Sequence, residues 1–329
     1  MPLKRVALVT GASKGIGLGI ARAFGEKGYR VHISASGRTP SGPGSLEAAK
    51  EAIESVGGEC VPHVCDHSKE EAIGALFDEI LAAEPDGIDV LVNNVYGGVD
   101  FIAKSMKSGS TFKFWEHPPS VFSQINQIGL TAHYVASVHY AKAMVPRKRG
   151  LIVQVSSAGG LLYIFNSPYS TGKAALDRLS RDLAFELEGT GVGCVTIYPG
   201  MVATEKFQAL ASDKAAPWLS EDSLASKGET PLFVGRGTAA LVQACADDPK
   251  YQSKVSGTIQ WIAEIAARHK IRDERGNCPP SFRAFRGIFG FSWIPLTWVV
   301  PWWIIKLMTP LYMKQKPAPP ADGDDKKSA

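Results

Sequence analysis

From Arg5 to about residue 265 the chain alternates short β-branched runs with helical stretches, and this rhythm restricts its fold more than any other feature. Strands are predicted at 6–10, 31–34, 59–65, 90–93, 151–156, 193–198 and 258–261. Between them, helices are predicted at 16–27, 46–56, 69–82, 121–145, 169–188 and 235–247. Parallel strands need crossover connections, and right-handed βαβ units in series build one open sheet with helices on both faces. The expectation is therefore an α/β fold, a Rossmann-type doubly wound parallel sheet of seven strands, formed by residues 1–270. Ligands of such sheets sit beyond the carboxyl ends of the strands.

At 329 residues and 45% hydrophobic, the chain has ample material for that core. Its net charge of +4 is small and its basic residues are interspersed with acidic ones, so no nucleic-acid footprint is expected. Cys60, Cys65, Cys194, Cys245 and Cys278 are scattered and odd in number, which suits reduced thiols in a cytosol-facing compartment. The chain enters a buried strand at Arg5-Val6-Ala7-Leu8-Val9-Thr10 without a secretory leader, so secretion is not expected.

Two segments break the rhythm. Residues 204–230, with Phe207, Leu210, Trp218 and Leu219, form an excursion between the sixth strand and the last helix, either a substrate-binding lid or a plain surface helix pair. Residues 271–313 form an apolar extension, uncharged from Gly287 to Ile305 and carrying Trp293, Trp298, Trp302 and Trp303. Pro295, Pro301 and Pro310 interrupt a helix there, and crowded Trp suits the headgroup region, so an interfacial membrane anchor is preferred. A membrane span and a dimer or substrate-cap contact are the alternatives. The tail at 314–329, rich in Pro, Asp and Lys, reads as disordered.

Thr10-Gly11-Ala12-Ser13-Lys14-Gly15-Ile16-Gly17 lies between a predicted strand and a predicted helix. Glycines permit a tight turn and close backbone approach to a diphosphate, which gains from the positive end of the helix. With a strand before and a helix after, the loop predicts a dinucleotide site built on Gly11, Ser13, Lys14, Gly15, Ile16 and Gly17. No Asp or Glu lies between Val31 and Gly44 to accept from a ribose 2′-hydroxyl, whereas Lys14 and Arg38 would attract a 2′-phosphate. NADP(H) is favoured, with NAD(H) the alternative. Asp66, ending the third strand, is the candidate acceptor for the adenine amino group.

Tyr169 and Lys173 stand four apart on one predicted helix and so share a face. A free phenol titrates near 10, too high for base work at neutral pH, and a neighbouring ammonium favours the phenolate. Ser156 and Ser157 end the preceding predicted strand and bring a hydroxyl to the start of that helix, where it could polarise a carbonyl oxygen.

In this order the motifs resemble the short-chain dehydrogenase/reductase family over roughly residues 3–265. Asn93-Asn94-Val95-Tyr96-Gly97 is similar to its Asn-Asn-Ala-Gly segment, Asn126 to its catalytic asparagine, and the run from Pro199 to Thr204 to its turn over the nicotinamide. The resemblance implies Tyr169 as proton donor, Lys173 holding the ribose and lowering the phenol pKa, Asn126 positioning a relay water, and Ser157 binding the substrate oxygen. Counting back from Tyr169 by the family's interval would select Ser156 instead. It also implies Asn93, Pro199, Val202 and Thr204 at the cofactor, and a family-like homo-oligomer. Asn-Asn-x-Tyr, Phe-Asn-x-Pro-Tyr at 165–169 and the apolar extension are similar to one branch of the family. That branch implies reduction of lipophilic ketones, steroid-like or xenobiotic, on the cytosolic face of the endoplasmic reticulum membrane, with a cytoplasmic location as the alternative.

Tyr96 and Tyr163 are candidate walls of the substrate pocket, or core tyrosines with satisfied hydroxyls. His63 and His67 flank Cys65 and Asp66, but strand alternation scatters these side chains and no metal is expected. His133 and His139 read as packing or surface residues. A silent nucleotide-binding sensor and a methyltransferase are the rival functions; the Ser, Tyr, Lys and Asn set argues against the first, and the Tyr/Lys pair against the second.

Overall fold

The computed structural model describes residues 4–107, 113–213 and 219–283. Seven parallel strands form one sheet, β1 Val6–Thr10, β2 Arg30–Ala35, β3 Glu59–Val64, β4 Val90–Asn93, β5 Gly150–Val155, β6 Val192–Tyr198 and β7 Ile259–Trp261. Their spatial order is β3-β2-β1-β4-β5-β6-β7. The reversal of winding falls between β1 and β4, where Ala7 pairs with Val90, and opens the crevice at the strands' carboxyl ends. β1, β4 and β6 are buried at every position, as central strands covered on both faces must be, whereas the edge strand β3 ends on an exposed Val64.

The helices are α1 Gly15–Glu26, α2 Leu46–Glu54, α3 Glu70–Ala83, α4 Val99–Lys107, α5 Ser120–Asn126, α6 Ala132–Met144 and α7 Ser167–Glu186, then α8 Glu205–Ser212, α9 Glu221–Lys227, α10 Pro231–Asp247, α11 Pro249–Val255 and α12 Ile262–Arg268. Phe24, Ile33, Val92, Val195 and Phe233 form the core between the sheet and the layer of α1, α2, α10 and α12. Phe77, Ile80, Leu91, Tyr140 and Ile152 form the other, under α3 and α6. α1 and α10 cross backbone to backbone: a Cβ on Gly19 would lie 2.0 Å from Pro231 O, and one on Gly235 2.0 Å from Gly19 O. Only glycine allows that approach.

The single helix predicted over 121–145 is interrupted. α5 and α6 are joined by a π-helical turn, Gln127–Thr131, because Asn126 Nδ2 donates both to Phe122 O in its own helix and to Pro168 O of α7. The excursion at 204–230 contains α8 and α9, capped by the Thr204 and Ser220 hydroxyls; Trp218 lies outside the described residues. α4, α11 and α12 are helices the periodicity did not announce. The expected boundary at residue 270 is not a break, since Ser281 and Arg283 reach back to the Glu264 carboxylate at 2.9 Å each. The Trp-rich stretch and the polar tail lie outside the described residues. Among those described, no helix is long and apolar enough to cross a membrane.

Candidate active site

The glycine loop leaves β1 and turns into α1 through left-handed backbone at Gly11 and Gly15, with φ of +65° and +58°. A Cβ on Gly17 would stand 2.4 Å from Gly11 O and 2.5 Å from Asn94 Nδ2, and one on Gly11 2.8 Å from Val95 Cα. The end of β4 clamps this shape: Asn94 Nδ2 donates to Thr10 O and Gly11 O at 2.9 and 3.0 Å, and the Asn94 N–H donates to Thr10 Oγ1 at 3.0 Å. The first turn of α1 thus presents backbone N–H groups unscreened by side chains of its own glycines, a cradle that fits a dinucleotide diphosphate. Glu205 Oε1 stands 3.5 Å from the Gly15 nitrogen, so an anionic oxygen is already drawn there.

Around the cradle, Ser13, Lys14 and Ile16 keep exposed surface. The Lys14 stem runs towards the 36–44 loop, 3.6 Å from where a Cβ on Gly44 would be. Arg38 is exposed at the end of β2. Asp66 is held below the usual carboxylate range by the Ser68 hydroxyl and N–H, at 2.7 and 3.1 Å, with Lys69 and Arg38 adding to the effect. Asn93 departs from its expected place. Its side chain is fully buried and donates to His133 O and Ser137 Oγ of α6, at 3.2 and 3.0 Å, because β4 alternation turns it from the cofactor crevice into the core. Asn94 meets the glycine loop instead.

Asn166 caps α7 by accepting from the Tyr169 N–H at 2.8 Å, so Tyr169 sits in the first turn and Lys173 one turn on. Both are buried. The Tyr169 hydroxyl is hydrogen-bonded to Ser157; burial pushes the phenol up to about 12, against the pull of that bond. Ser157 also accepts from the Gly159 N–H at 3.0 Å. Ser156 points the other way: its Oγ donates to Lys173 O at 3.4 Å and it stands against Asp177. Lys173 Nζ donates to Val155 O at 2.9 Å and lies 5.1 Å over the Tyr96 ring; burial lowers it to about 8, opposed by Asp177. Asn126 faces the same helix across Gly172, where a Cβ would come within 1.9 Å of Asn126 Oδ1. Tyr169, Lys173, Ser157 and Asn126 are thus gathered at the carboxyl end of β5. Burial thus keeps the phenol protonated and makes it a weaker acid than a free tyrosine, and the lowering expected from Lys173 is not found, because desolvation outweighs the one opposing bond from Ser157.

The short chain dehydrogenase family model matches residues 5–215. A human protein named dehydrogenase/reductase SDR family member 1 is 38% identical over 317 residues, covering 93% of this chain and 97% of its own length. The chain belongs to the short-chain dehydrogenase/reductase family. Among the solved structures similar to this chain are a metagenomic short-chain oxidoreductase in complex with NADP and an actinorhodin polyketide ketoreductase variant with NADPH. The first is 29% identical with a TM-score of 0.54, covering 72% of this chain and 90% of its own; the second is 26% identical with a TM-score of 0.64, covering 78% and 95%.

In this short-chain dehydrogenase/reductase the Tyr169 ring packs in a buried apolar cluster with Ile102, Met106, Leu210, Leu219 and Leu224 from α4 and the 204–230 excursion. Tyr96 and Phe165 meet the Tyr169 ring edge-on, with centroids 5.7 and 5.2 Å away. Tyr163 does not join them: it is 51% exposed, with its hydroxyl on Phe165 O at 3.4 Å. Phe165 takes the wall because its backbone adopts φ +60°, which swings the ring inward. No sequence signal marked that conformation at a phenylalanine.

The turn at 199–204 runs from Pro199, at the end of β6, to Thr204, whose methyl stands 3.5 Å from where a Cβ on Gly15 would be. Val202 bridges to Glu229, and Glu229 holds the turn three times: its N–H donates to Met201 O at 2.8 Å, its carbonyl accepts from the Ala203 N–H at 2.8 Å, and its Oε2 accepts from the Gly200 N–H at 2.9 Å. Burial pushes this carboxyl up to about 8, opposed by the Gly200 amide. Asp177 is a second unheralded group, four residues beyond Lys173 and bonded to the Tyr198 hydroxyl; burial raises it to about 6, with Tyr198 and Ser156 opposing. The i,i+4 step from Lys173 could have marked Asp177; nothing local marked Glu229. His63 pairs with His32 and Glu79, and His67 with Ser34, so the suspected cluster diverges. Among the described residues no group of three His, Cys, Asp or Glu is arranged to hold a metal ion.

Proposed function

We propose that this protein is an NADP(H)-dependent carbonyl reductase that converts a ketone or aldehyde of a lipophilic substrate, steroid-like or xenobiotic, to an alcohol. The observation that carries this reading is the Tyr169 phenol, neutral, bonded to Ser157 and walled by apolar side chains beside the glycine cradle. Gly11, Ser13, Lys14, Gly15, Ile16 and Gly17 would hold the diphosphate, Asp66 the adenine, and Pro199, Val202 and Thr204 the nicotinamide end. A bound nicotinamide dinucleotide supplies the hydride for the carbonyl carbon. Ser157 orients the substrate oxygen by a hydrogen bond, and Tyr169 gives that oxygen its proton. Lys173 holds the ribose and a positive charge near the phenol, and Asn126 orients a water that resupplies the proton. The apolar walls exclude bulk water and select a lipophilic body.

NADP(H) is preferred over NAD(H) on the strength of Lys14 and Arg38 beside a loop without acidic residues from Val31 to Gly44; among similar solved structures two carry NADP and NADPH and one carries NADH. Tyr169→Phe should lower NADPH-dependent turnover of a ketone panel by about 10²- to 10⁴-fold while leaving NADPH binding intact. Near-normal turnover in that variant would remove Tyr169 as proton donor, and tight NADPH binding without turnover of any carbonyl would support a silent sensor. Arg38→Ala should weaken NADPH binding by about tenfold and leave NADH binding unchanged, because only the 2′-phosphate loses a charged partner.

The Trp-rich composition from Gly287 to Met313 supports attachment to the cytosolic face of the endoplasmic reticulum membrane, and the family supports a homo-oligomer. Release of the full chain by carbonate washing, together with an unchanged distribution after deletion of residues 285–329, would refute the anchor.

A further inference from the structure

Before the catalytic helix begins, residues 166–168, α4 and the segment from Phe114 to Phe122 line a cavity of about 240 Å³ that opens to solvent, with Phe114 68% and Phe122 49% exposed. Tyr169 is not among its walls. α4 separates the two places, turning Ile102, Ala103 and Met106 to the cluster around Tyr169 and Phe101 to the cavity. The lining is almost wholly apolar, with Phe101, Phe114, Phe122, Pro118, Pro119 and Pro168 as its main faces, and among the described residues no Asp, Glu, Lys or Arg touches it.

Two polar atoms of its walls are nevertheless buried without a partner, Asn166 Nδ2 and His117 Nε2. The amide orientation of Asn166 follows from its cap: Oδ1 is committed to the Tyr169 N–H, so the residue's remaining polar atom is a donor, on a side chain only 1% exposed. The His117 ring is set edge-on against Phe101, with centroids 5.0 Å apart. Buried donors left unmade are costly, and folded proteins seldom keep them except where something binds. An apolar hollow with a few polar atoms in its walls is also the usual build of a small-ligand site.

We propose that this cavity is a second binding site, for a small uncharged lipophilic molecule that carries one acceptor oxygen. The oxygen accepts from Asn166 Nδ2 beside His117 Nε2, and the apolar body packs between Phe101, Phe114 and Phe122. Among the described residues an anion would find no cation there, and a cation no carboxylate. The site does not rest on the reductase reading. It does touch the catalytic helix, since Phe122 and Pro168, whose carbonyls hold Asn126 Nδ2, belong to its walls.

The test is calorimetric titration of the full chain, saturated with NADPH, by two probes of one shape. N,N-dimethylbenzamide has the acceptor oxygen and is not a ketone substrate; isobutylbenzene has the same outline without it. The amide should bind about five- to tenfold tighter than the hydrocarbon. Asn166→Asp keeps the cap but replaces the donor by an acceptor, and His117→Phe keeps the ring but loses its nitrogen; each should abolish the preference and leave hydrocarbon binding within about twofold. Equal binding of the two probes, no binding of either, or a preference that survives both variants overturns the proposal. Should Asn166→Asp fail to fold, His117→Phe decides alone.

Discussion

Glu229→Gln should make this protein more stable at neutral pH, and by an amount that grows with pH. Glu229 is 1% exposed, with one carboxyl oxygen on the Gly200 N–H and the other unpartnered. Burial holds it near 8, whereas its ordinary value is 4.5. A group whose folded pKa is raised gives its full stabilisation below its unfolded pKa and loses it as pH rises through the folded one. At pH 7 the unfolded carboxyl is ionised while the folded one keeps its proton, at about 1.4 kcal/mol for each unit above 4.5, which comes to about 3 kcal/mol. By pH 8, where the folded group is half ionised, the cost reaches about 4 kcal/mol, and at pH 4.5 it is close to zero. Glutamine keeps the acceptor for Gly200 and has no proton to lose. Its amide N–H replaces the unmade O–H of the protonated acid, so the polar cost at the unpartnered oxygen is nearly unchanged. Thermal unfolding followed by circular dichroism from pH 5 to 8 measures the difference. The Tm gain of the variant should be small at pH 5 and about 6–12 °C at pH 7, at roughly 2–4 °C per kcal/mol for a domain of this size. A gain that is flat across this range, or that shrinks as pH rises, would refute the claim that a protonated carboxyl supports the 199–204 turn.

Gly172→Ala should cost about 1–3 kcal/mol, because its Cβ would lie 1.9 Å from Asn126 Oδ1 and force that side chain off Phe122 O and Pro168 O; urea unfolding reads the loss, and an unchanged midpoint would contradict the packing. Asp177→Asn keeps an acceptor for Tyr198 while removing the negative charge that raises both Tyr169 and Lys173. The pH of half-maximal alcohol oxidation should therefore move down by up to about one unit, and a shift upward would show that the charge acts otherwise.

Signals confined to neighbouring residues were legible in the chain. The strand and helix rhythm, the glycine loop and the four-residue step from Tyr169 to Lys173 all follow from local periodicity and backbone sterics. The strand and helix assignments that rest on them agree with the sheet to within a residue or so at β1, β4 and β6. The family followed from their order.

Where a side chain points depends on what packs against it, and that was decided by distant parts of the chain. Ser157 and not Ser156 meets Tyr169 because β5 alternation turns Ser156 towards Asp177 and the Lys173 carbonyl. Asn93 faces α6 because the strand that carries it is covered on both sides. The break at Asn126 depends on Pro168, 42 residues away, and the protonated Glu229 on a turn 29 residues before it. Periodicity describes which face of an element is apolar; burial and partners, which set pKa and side-chain direction, exist only once the elements are packed.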